Sequence, residues 1–492
     1  MRSKKNGSYK KMLLSTGFIL VSTASCYSSL AQADIIADSG QKNMPSVINN
    51  ANNSATININ AASQSGISHN KFTQFDVEKE GIILNNSANA SATTLSGNIA
   101  GNSNMQSGSA SLIVNEINSN RASVLNGMIE VAGKKADVII ANPSGVTCDG
   151  CGFINTGKAT LTTNSLLLAG DKITMGKAGD GVIQITGNGM NDGADFTALL
   201  AKTIKVSSAI HAKELYVSVV NDDASVASED NKVGLDIAAL GGMYANKITL
   251  VANRNGAGIN NSGLISAESN LSISLTGELN NSGKMGTASG PVEIVSNSIK
   301  NGQGTITSGG DLYLLADSKI DNTQGIISGK NRVNINADTL DNTAGLINGK
   351  GISLVADRVL NKNSAQYGVD AGDDNDNKPK AAAVQEGGIY ASEDINIAAG
   401  ALIDTSAGTI RSEKGAVTLA AMDNINLDHV SIAGENVSIF SNTVAGDVQG
   451  ITSGKIDARK NILFDVEQPV PYDENSSITA GEKLTIKDNL QH

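Results

Sequence analysis

Between residues 260 and 363 a polar cluster closed by glycine returns every 20 or 21 residues. Asn261-Ser262-Gly263 and Asn281-Ser282-Gly283 are followed by Asn301 with Gly304, Asn322 with Gly325 and Asn342 with Gly345. Alternating apolar pairs stand between the clusters: Leu271/Ile273, Val292/Ile294, Leu312/Leu314, Val333/Ile335 and Ile352/Leu354. Alternation sends both members of a pair to one face of a strand. A turn at each cluster then closes one coil. One coil cannot stand alone. Burying about five aliphatic side chains contributes about 2 kcal/mol each, against ordering about 20 residues at roughly 1–2 kcal/mol each. Stacked coils share apolar faces and backbone ladders, so only the array is stable. The pattern predicts an all-β chain folded as a parallel β-helix. Its repeat asparagines are expected to stack in ladders at turn positions, where Asn tolerates the left-handed conformation.

After Gly388 the alternation resumes with Ile395/Ile397, Val417/Leu419, Val437/Ile439, Ile462/Phe464 and Leu484/Ile486. Repeats at 260–363 and 387–492 are therefore expected on either side of an acidic loop insertion at 364–386. Within it Asp373, Asn375 and Asn377 have the spacing of a calcium loop, but Lys378 stands where that loop needs Gly, and no Glu falls at its twelfth position. The insertion reads as a solvated loop. Composition agrees with a long β-structure rich in turns: 52 Gly, 54 Asn, no Trp and only 15 Tyr and Phe in 492 residues. Helical bundles and large α/β enzymes need more aromatic bulk and better helix formers. An apolar content of 40% is too high for disorder.

The first segment reads as an address. Arg2, Lys4, Lys5, Lys10 and Lys11 precede an apolar stretch from Met12 to Val21, and Ala31-Gln32-Ala33 offers a small-x-small cleavage site. Residues 1–33 are expected to be a signal peptide cut between Ala33 and Asp34. Lipoprotein processing at Cys26 is disfavoured by Thr23, where a Leu-like residue belongs. Removal of five basic residues leaves 32 Lys and Arg against 48 Asp and Glu, a formal charge of −16. With no basic stripe and few aromatic platforms, nucleic acid is not an expected partner. The acidity suits a rod that must stay soluble outside the cell.

Enzyme chemistry finds little support. His69, His211, His429 and His492 form no metal-ligand spacing, and neither a nucleophile elbow nor a phosphate-binding loop is present. No catalytic residue, metal or cofactor is expected; carboxylate-based cleavage of acidic polysaccharide stays a remote alternative. Cys148-Asp149-Gly150-Cys151 has the spacing of a redox pair, half a zinc site or a small structural disulfide. Two further zinc ligands are missing, a redox role belongs at a helix N-terminus, and an oxidising compartment favours the disulfide.

The stretch from Ala141-Asn142-Pro143-Ser144-Gly145 through Cys148-Asp149-Gly150-Cys151 to Asn155-Thr156 resembles the hallmark of two-partner secretion exoproteins. These are the filamentous haemagglutinin, haemolysin and contact-dependent inhibition proteins of Gram-negative bacteria. Ala110-Ser111-Leu112-Ile113-Val114-Asn115-Glu116-Ile117 and Leu240-Gly241-Gly242-Met243-Tyr244-Ala245 are similar to two further family motifs. The resemblance spans a secretion domain at about 34–259, and the later repeats are similar to the family's haemagglutinin repeats. It implies a right-handed parallel β-helix with an N-terminal cap. It also implies recognition by the periplasmic domains of an outer-membrane transporter, through which the chain threads unfolded. Asn102, Asn104, Asn115, Glu116, Asn142, Pro143 and Gly145 are the candidate recognition residues. Two departures stand out: Asn102-Ser103-Asn104-Met105 replaces Asn-Pro-Asn-Leu, and Asn142-Pro143-Ser144-Gly145 replaces Asn-Pro-Asn-Gly.

After export the family offers three roles: an adhesin binding host or neighbouring-cell surfaces, a haemolysin, or the stem of a contact-inhibition toxin. No amphipathic or long apolar segment advertises membrane damage. An adhesin-like rod is the expectation, about 22 coils at roughly 4.8 Å each and so about 100 Å long.

Overall fold

Each coil of the repeat region presents three strand segments, two of them joined in one long strand in coils such as Leu264–Leu275, and the segments pair in parallel with their equivalents one coil later. This is seen in a computed structural model that describes residues 34–169, 172–219, 233–252, 256–367, 386–445 and 450–488. Residues 1–33, expected to be a signal peptide, most of the expected insertion at 364–386 and His492 lie outside the described residues. Forty strands join one sheet that winds around the core.

Register explains the periodicity. On the first face Ile265, Met285, Ile306, Ile327 and Ile347 sit directly above one another, and the column continues through Ile389, Ile410, Ile432 and Ile456. The apolar pairs read from the sequence line the second face, beginning with Leu271/Ile273 over Val292/Ile294. A third column runs Ile259, Leu279, Ile299, Ile320 and Leu340. These residues are 0–3% exposed, so three apolar columns fill the interior. Leu484 and Ile486, on the last described rung, are 41% exposed.

The ladder forms, though not through left-handed asparagines. Each buried Asn donates its side-chain Nδ2 to the Oδ1 of the next: Asn261 to Asn281 at 2.7 Å, Asn281 to Asn301 at 2.7 Å, Asn301 to Asn322 at 2.8 Å. Asn322 to Asn342 and Asn342 to Asn361 follow at 2.7 and 2.8 Å, and Asn361 ends on Thr405 Oγ1 at 3.4 Å. Positive φ falls instead on Gln303, Gln324 and Ala344, just before the closing glycines. The inward amide of each Asn is committed to its neighbours, so the chain reverses two residues later. The glycines answer to a different need. A Cβ at Gly304, Gly325 or Gly345 would lie 2.1–2.2 Å from the main-chain oxygen of Asn281, Asn301 or Asn322.

The N-terminal part departs from this regularity. Ile35–Ala37 runs antiparallel to Ile67–Phe75, which supplies the cap. The strands Ser46–Asn49, Ala55–Asn58, Ile82–Asn86, Met128–Gly133 and Gly152–Ile154 make a separate five-stranded sheet. Asn164–Ala169 and Lys172–Ala178 form an antiparallel hairpin outside the stack. Its Leu166 and Ile173 cover the outward side of Val114 and Ala141. The hairpin and the antiparallel pair Ser46–Asn49/Ala55–Asn58 consume chain without adding rungs to the face that starts at Ile67–Phe75. From Ile67–Phe75 to Lys483–Asp488 one face carries 17 rungs. The stack is therefore about 75 Å long at roughly 4.8 Å per step, shorter than a division of the chain into equal coils suggests.

Candidate functional site

The two sequence departures fold into the same turn. Asn102 Oδ1 accepts from the Asn104 N–H at 3.0 Å, and the Asn102 carbonyl accepts from the Met105 N–H at 3.0 Å. Asn142 Oδ1 likewise accepts from the Ser144 N–H at 3.0 Å, and the Asn142 carbonyl from the Gly145 N–H at 3.0 Å. Both asparagines are buried and turn their Nδ2 groups inward. Asn102 donates to the carbonyls of Ile59 and Asn85 at 2.9 and 3.0 Å. Asn142 donates to the Arg121 carbonyl at 2.9 Å and Ser123 Oγ at 3.0 Å. Each turn thus rivets segments distant in sequence, using an amide that has both donor and acceptor capacity. Asn104, which is exposed, adds a 3.0 Å bond to the Ile59 carbonyl.

Proline is dispensable for this geometry at residue 103. Asn102 has φ −91° and ψ 115°, the extended conformation that a residue before proline requires. Ser103 occupies the position where proline pre-sets a turn. Ser103→Pro is therefore expected to raise stability by about 0.4–1 kcal/mol, by narrowing the unfolded ensemble. Urea unfolding of the mature chain checks this. A loss would mean that the Ser103 backbone departs from the proline-compatible range.

Pro143 and Gly145 hold the second turn against the next coil. The Pro143 carbonyl accepts from the Gly181 N–H at 3.1 Å. Gly145 has φ 118°, and a Cβ there would stand 3.0 Å from the Val182 carbonyl. Cys148 and Cys151, both buried, are joined by a disulfide with Cα atoms 5.3 Å apart.

Asn115 and Glu116 sit side by side on Leu112–Ile117 but face opposite ways. Asn115 points into the core opposite Asn70 and Ile140, and its Oδ1 has no hydrogen-bond donor. Glu116 faces outward between Lys71 and Ala141 in register. Its Oε2 lies 2.7 Å from His69 Nε2 and 3.6 Å from Lys71 Nζ. The hydrogen bond with His69 leads in holding the Glu116 carboxyl below its ordinary 4.5; the Lys71 charge assists, and partial burial opposes. A depressed carboxylate stabilises the fold above its unfolded pKa and loses that contribution as pH falls through the folded value. Glu116→Gln is thus expected to flatten the acid limb of stability below pH 4.5 while leaving the neutral region parallel to wild type. Urea midpoints across that range test it; an unchanged acid limb would show that the pair contributes nothing.

The structure brings Asn115, Glu116 and Asn142 onto adjoining rungs, whereas Asn102 and Asn104 anchor to other segments. Three residues escape a reading of the sequence. His69 and Lys71 reach Glu116 from 47 and 45 residues away in the chain. Asp192, pushed up by burial, accepts from the N–H groups of Phe153 and Ala194 at 3.1 and 3.0 Å and from Thr197 Oγ1 at 2.6 Å. It pins the strand that follows the disulfide, and only the register of the stack reveals it. Among the described residues no group of three His, Cys, Asp or Glu side chains could hold a metal ion.

Comparison with known proteins places this region. Residues 33–287 match the family model of the TPS secretion domain. The Toxin CdiA of Yersinia pestis is 41% identical over 266 residues, 51% of this chain and 8% of the toxin. That of Escherichia coli is 41% identical over 243 residues, 46% of the chain and 8% of the toxin. The tRNA nuclease CdiA-2 of Burkholderia pseudomallei is 38% identical over 261 residues, again 8% of its length. The chain therefore matches only a small part of these relatives. The crystal structure of the filamentous hemagglutinin secretion domain superposes with TM-score 0.50 at 26% identity, covering 57% of this chain and 99% of that one.

Proposed function

The chain belongs to the TPS secretion domain family, and from that premise we propose that it is a non-enzymatic surface-binding rod, exported by recognition of the rungs that carry Asn115 and Asn142 together with the separate Asn102 turn. As a two-partner secretion exoprotein it is carried across the outer membrane of a Gram-negative bacterium, which implies a cognate outer-membrane transporter. The observation that supports a rod is continuity. Gly242–Ala252, inside the matched region, stacks in parallel on Leu264–Leu275 with one bulge after Ala245, and the repeats carry on from there. The second reading, a stem for toxin delivery, is favoured by the 41% identity to the two proteins named Toxin CdiA; the names toxin and tRNA nuclease describe those relatives.

Export decides the recognition half. With the transporter present, wild-type protein is expected in the medium, and Asn142→Ala is expected to stay in the periplasm. Secretion of the variant at wild-type level would reduce Asn142 to a turn former. Mixing exported protein with red cells and with competitor bacteria separates the roles. Agglutination without haemoglobin release supports the rod; growth inhibition of neighbouring bacteria supports the stem.

A further inference from the structure

The outward side of the second face carries a long run without charge. Six successive rungs there, from Leu312–Ala316 to Val437–Ser441, present two side chains each. Tyr313 and Leu315 stack on Asn334 and Asn336, and these on Ser353 and Val355. The columns continue through Asn396 and Ala398 to Ser438 and Phe440. None of these outward positions is charged, in a chain where 17% of residues are. The third face shows the contrast, with Lys300–Glu278, Lys319–Asp341 and Lys362–Asp404 ion pairs at 3.0, 3.1 and 3.6 Å.

The uncharged strip is also hollowed. One depression of about 540 Å³ lies against Tyr313, Asn334, Asn336 and Val355 with Glu293 at its near end, and a second of about 620 Å³ lies over Ala398 and Ala420 against Phe440 with Asp465 and Glu467 at its far end. Tyr313 and Phe440, 45% and 37% exposed, stand five rungs apart, about 24 Å at roughly 4.8 Å per step.

We infer that this strip binds a neutral, extended glycan lying parallel to the stack axis. Flat aromatic faces suit the C–H faces of pyranose rings. The amides of Asn334, Asn336 and Asn396 offer both donors and acceptors to hydroxyl groups, and the rung spacing is close to the length of one sugar residue. A polyanion is disfavoured, because Glu293, Asp465 and Glu467 line the hollows with no Lys or Arg beside them, Arg332 standing at the strip's edge, and the chain as a whole is acidic. A polypeptide strand is disfavoured, because the main-chain groups beneath are already paired between rungs. The inference rests on the surface-binding reading and names its ligand class.

Calorimetric titration of the mature protein with cellohexaose, maltohexaose and chitohexaose tests it. At least one is expected to bind, insensitive to salt, with affinity reduced roughly tenfold by Tyr313→Ala and by Phe440→Ala. Lys300→Ala, on the third face, is expected to bind like wild type. Circular dichroism confirms that each variant is folded. Binding by none of the three, or equal binding by both aromatic variants, overturns the inference. So does a dimer in sedimentation velocity that Tyr313→Ala dissociates, since the strip would then join two copies. Agglutination of cells by wild type without binding to any of the glycans would sink this site and leave the surface-binding reading standing.

Discussion

Asn301→Ala is expected to lower the stability of the repeat stack by about 3 kcal/mol, because it strands polar atoms on both sides of the ladder. Asn281 Nδ2 would lose the acceptor it meets at 2.7 Å, and Asn322 Oδ1 the donor it meets at 2.8 Å. Asn301 also donates to the Ile326 carbonyl at 3.0 Å. All three asparagines are fully buried, so water cannot replace the missing partners without entering the core, and each orphan costs about 1–3 kcal/mol. The internal control is Asn280→Ala. Its side chain makes a comparable 2.9 Å bond to Asn260, but in solvent, so its loss should stay within about 0.5 kcal/mol. Urea unfolding, with hydrogen exchange to localise the opening, measures both. Equal effects would mean that burial gives the ladder no special weight. The double variant Asn281→Ala/Asn301→Ala should fall short of additivity by about 1 kcal/mol, since the two residues share one bond.

Gly325→Ala should do similar damage for a different reason. The added methyl would sit 2.1 Å from the Asn301 carbonyl oxygen. That oxygen belongs to the main chain of the coil beneath, so it moves only if a rung moves. A loss of about 3 kcal/mol follows from such overpacking. Gly302→Ala, in an equivalent corner one coil earlier, meets nothing nearer than the Thr323 carbonyl at 3.7 Å. There the change should be neutral or stabilise by up to about 1 kcal/mol, through the unfolded chain. Thermal unfolding of the two variants side by side distinguishes the cases. A neutral Gly325→Ala would show that the coils can part at the corner without penalty.

The repeat region was legible because its rules are local. A pair such as Val333/Ile335 announces an inward face by alternation, and Asn322 with Gly325 announces a corner by spacing. What was not legible is set by stacking. Whether an asparagine takes the left-handed turn or the ladder depends on the amide one coil away, and Gln324 rather than Asn322 took the turn. In the secretion domain, outward Val114 and Ala141 obey no simple alternation, because the hairpin lid covers them. The same holds for the candidate recognition residues. Asn142 could be marked from its motif, but its hold on Arg121 and Ser123 could not. The charge partner of Glu116 likewise became visible only when His69 and Lys71 were placed on the neighbouring rung.

The way each rung closes on the last has a consequence for growth by insertion. Ile327 meets Ile347 across 20 residues of chain, while Ile347 meets Ile389 across 42, because the acidic insertion intervenes. Loop-closure entropy rises only with the logarithm of contour length, so that doubling costs about 0.6 kcal/mol. On this face the rungs on either side keep their register, and where Gly351–Leu360 meets Ile395–Asp404 a single bulge after Ala356 takes up the difference while the core stays shared. Corners of this stack are therefore places where new chain can be spliced in at little thermodynamic cost, while the columns of Ile, Val and Leu stay untouched.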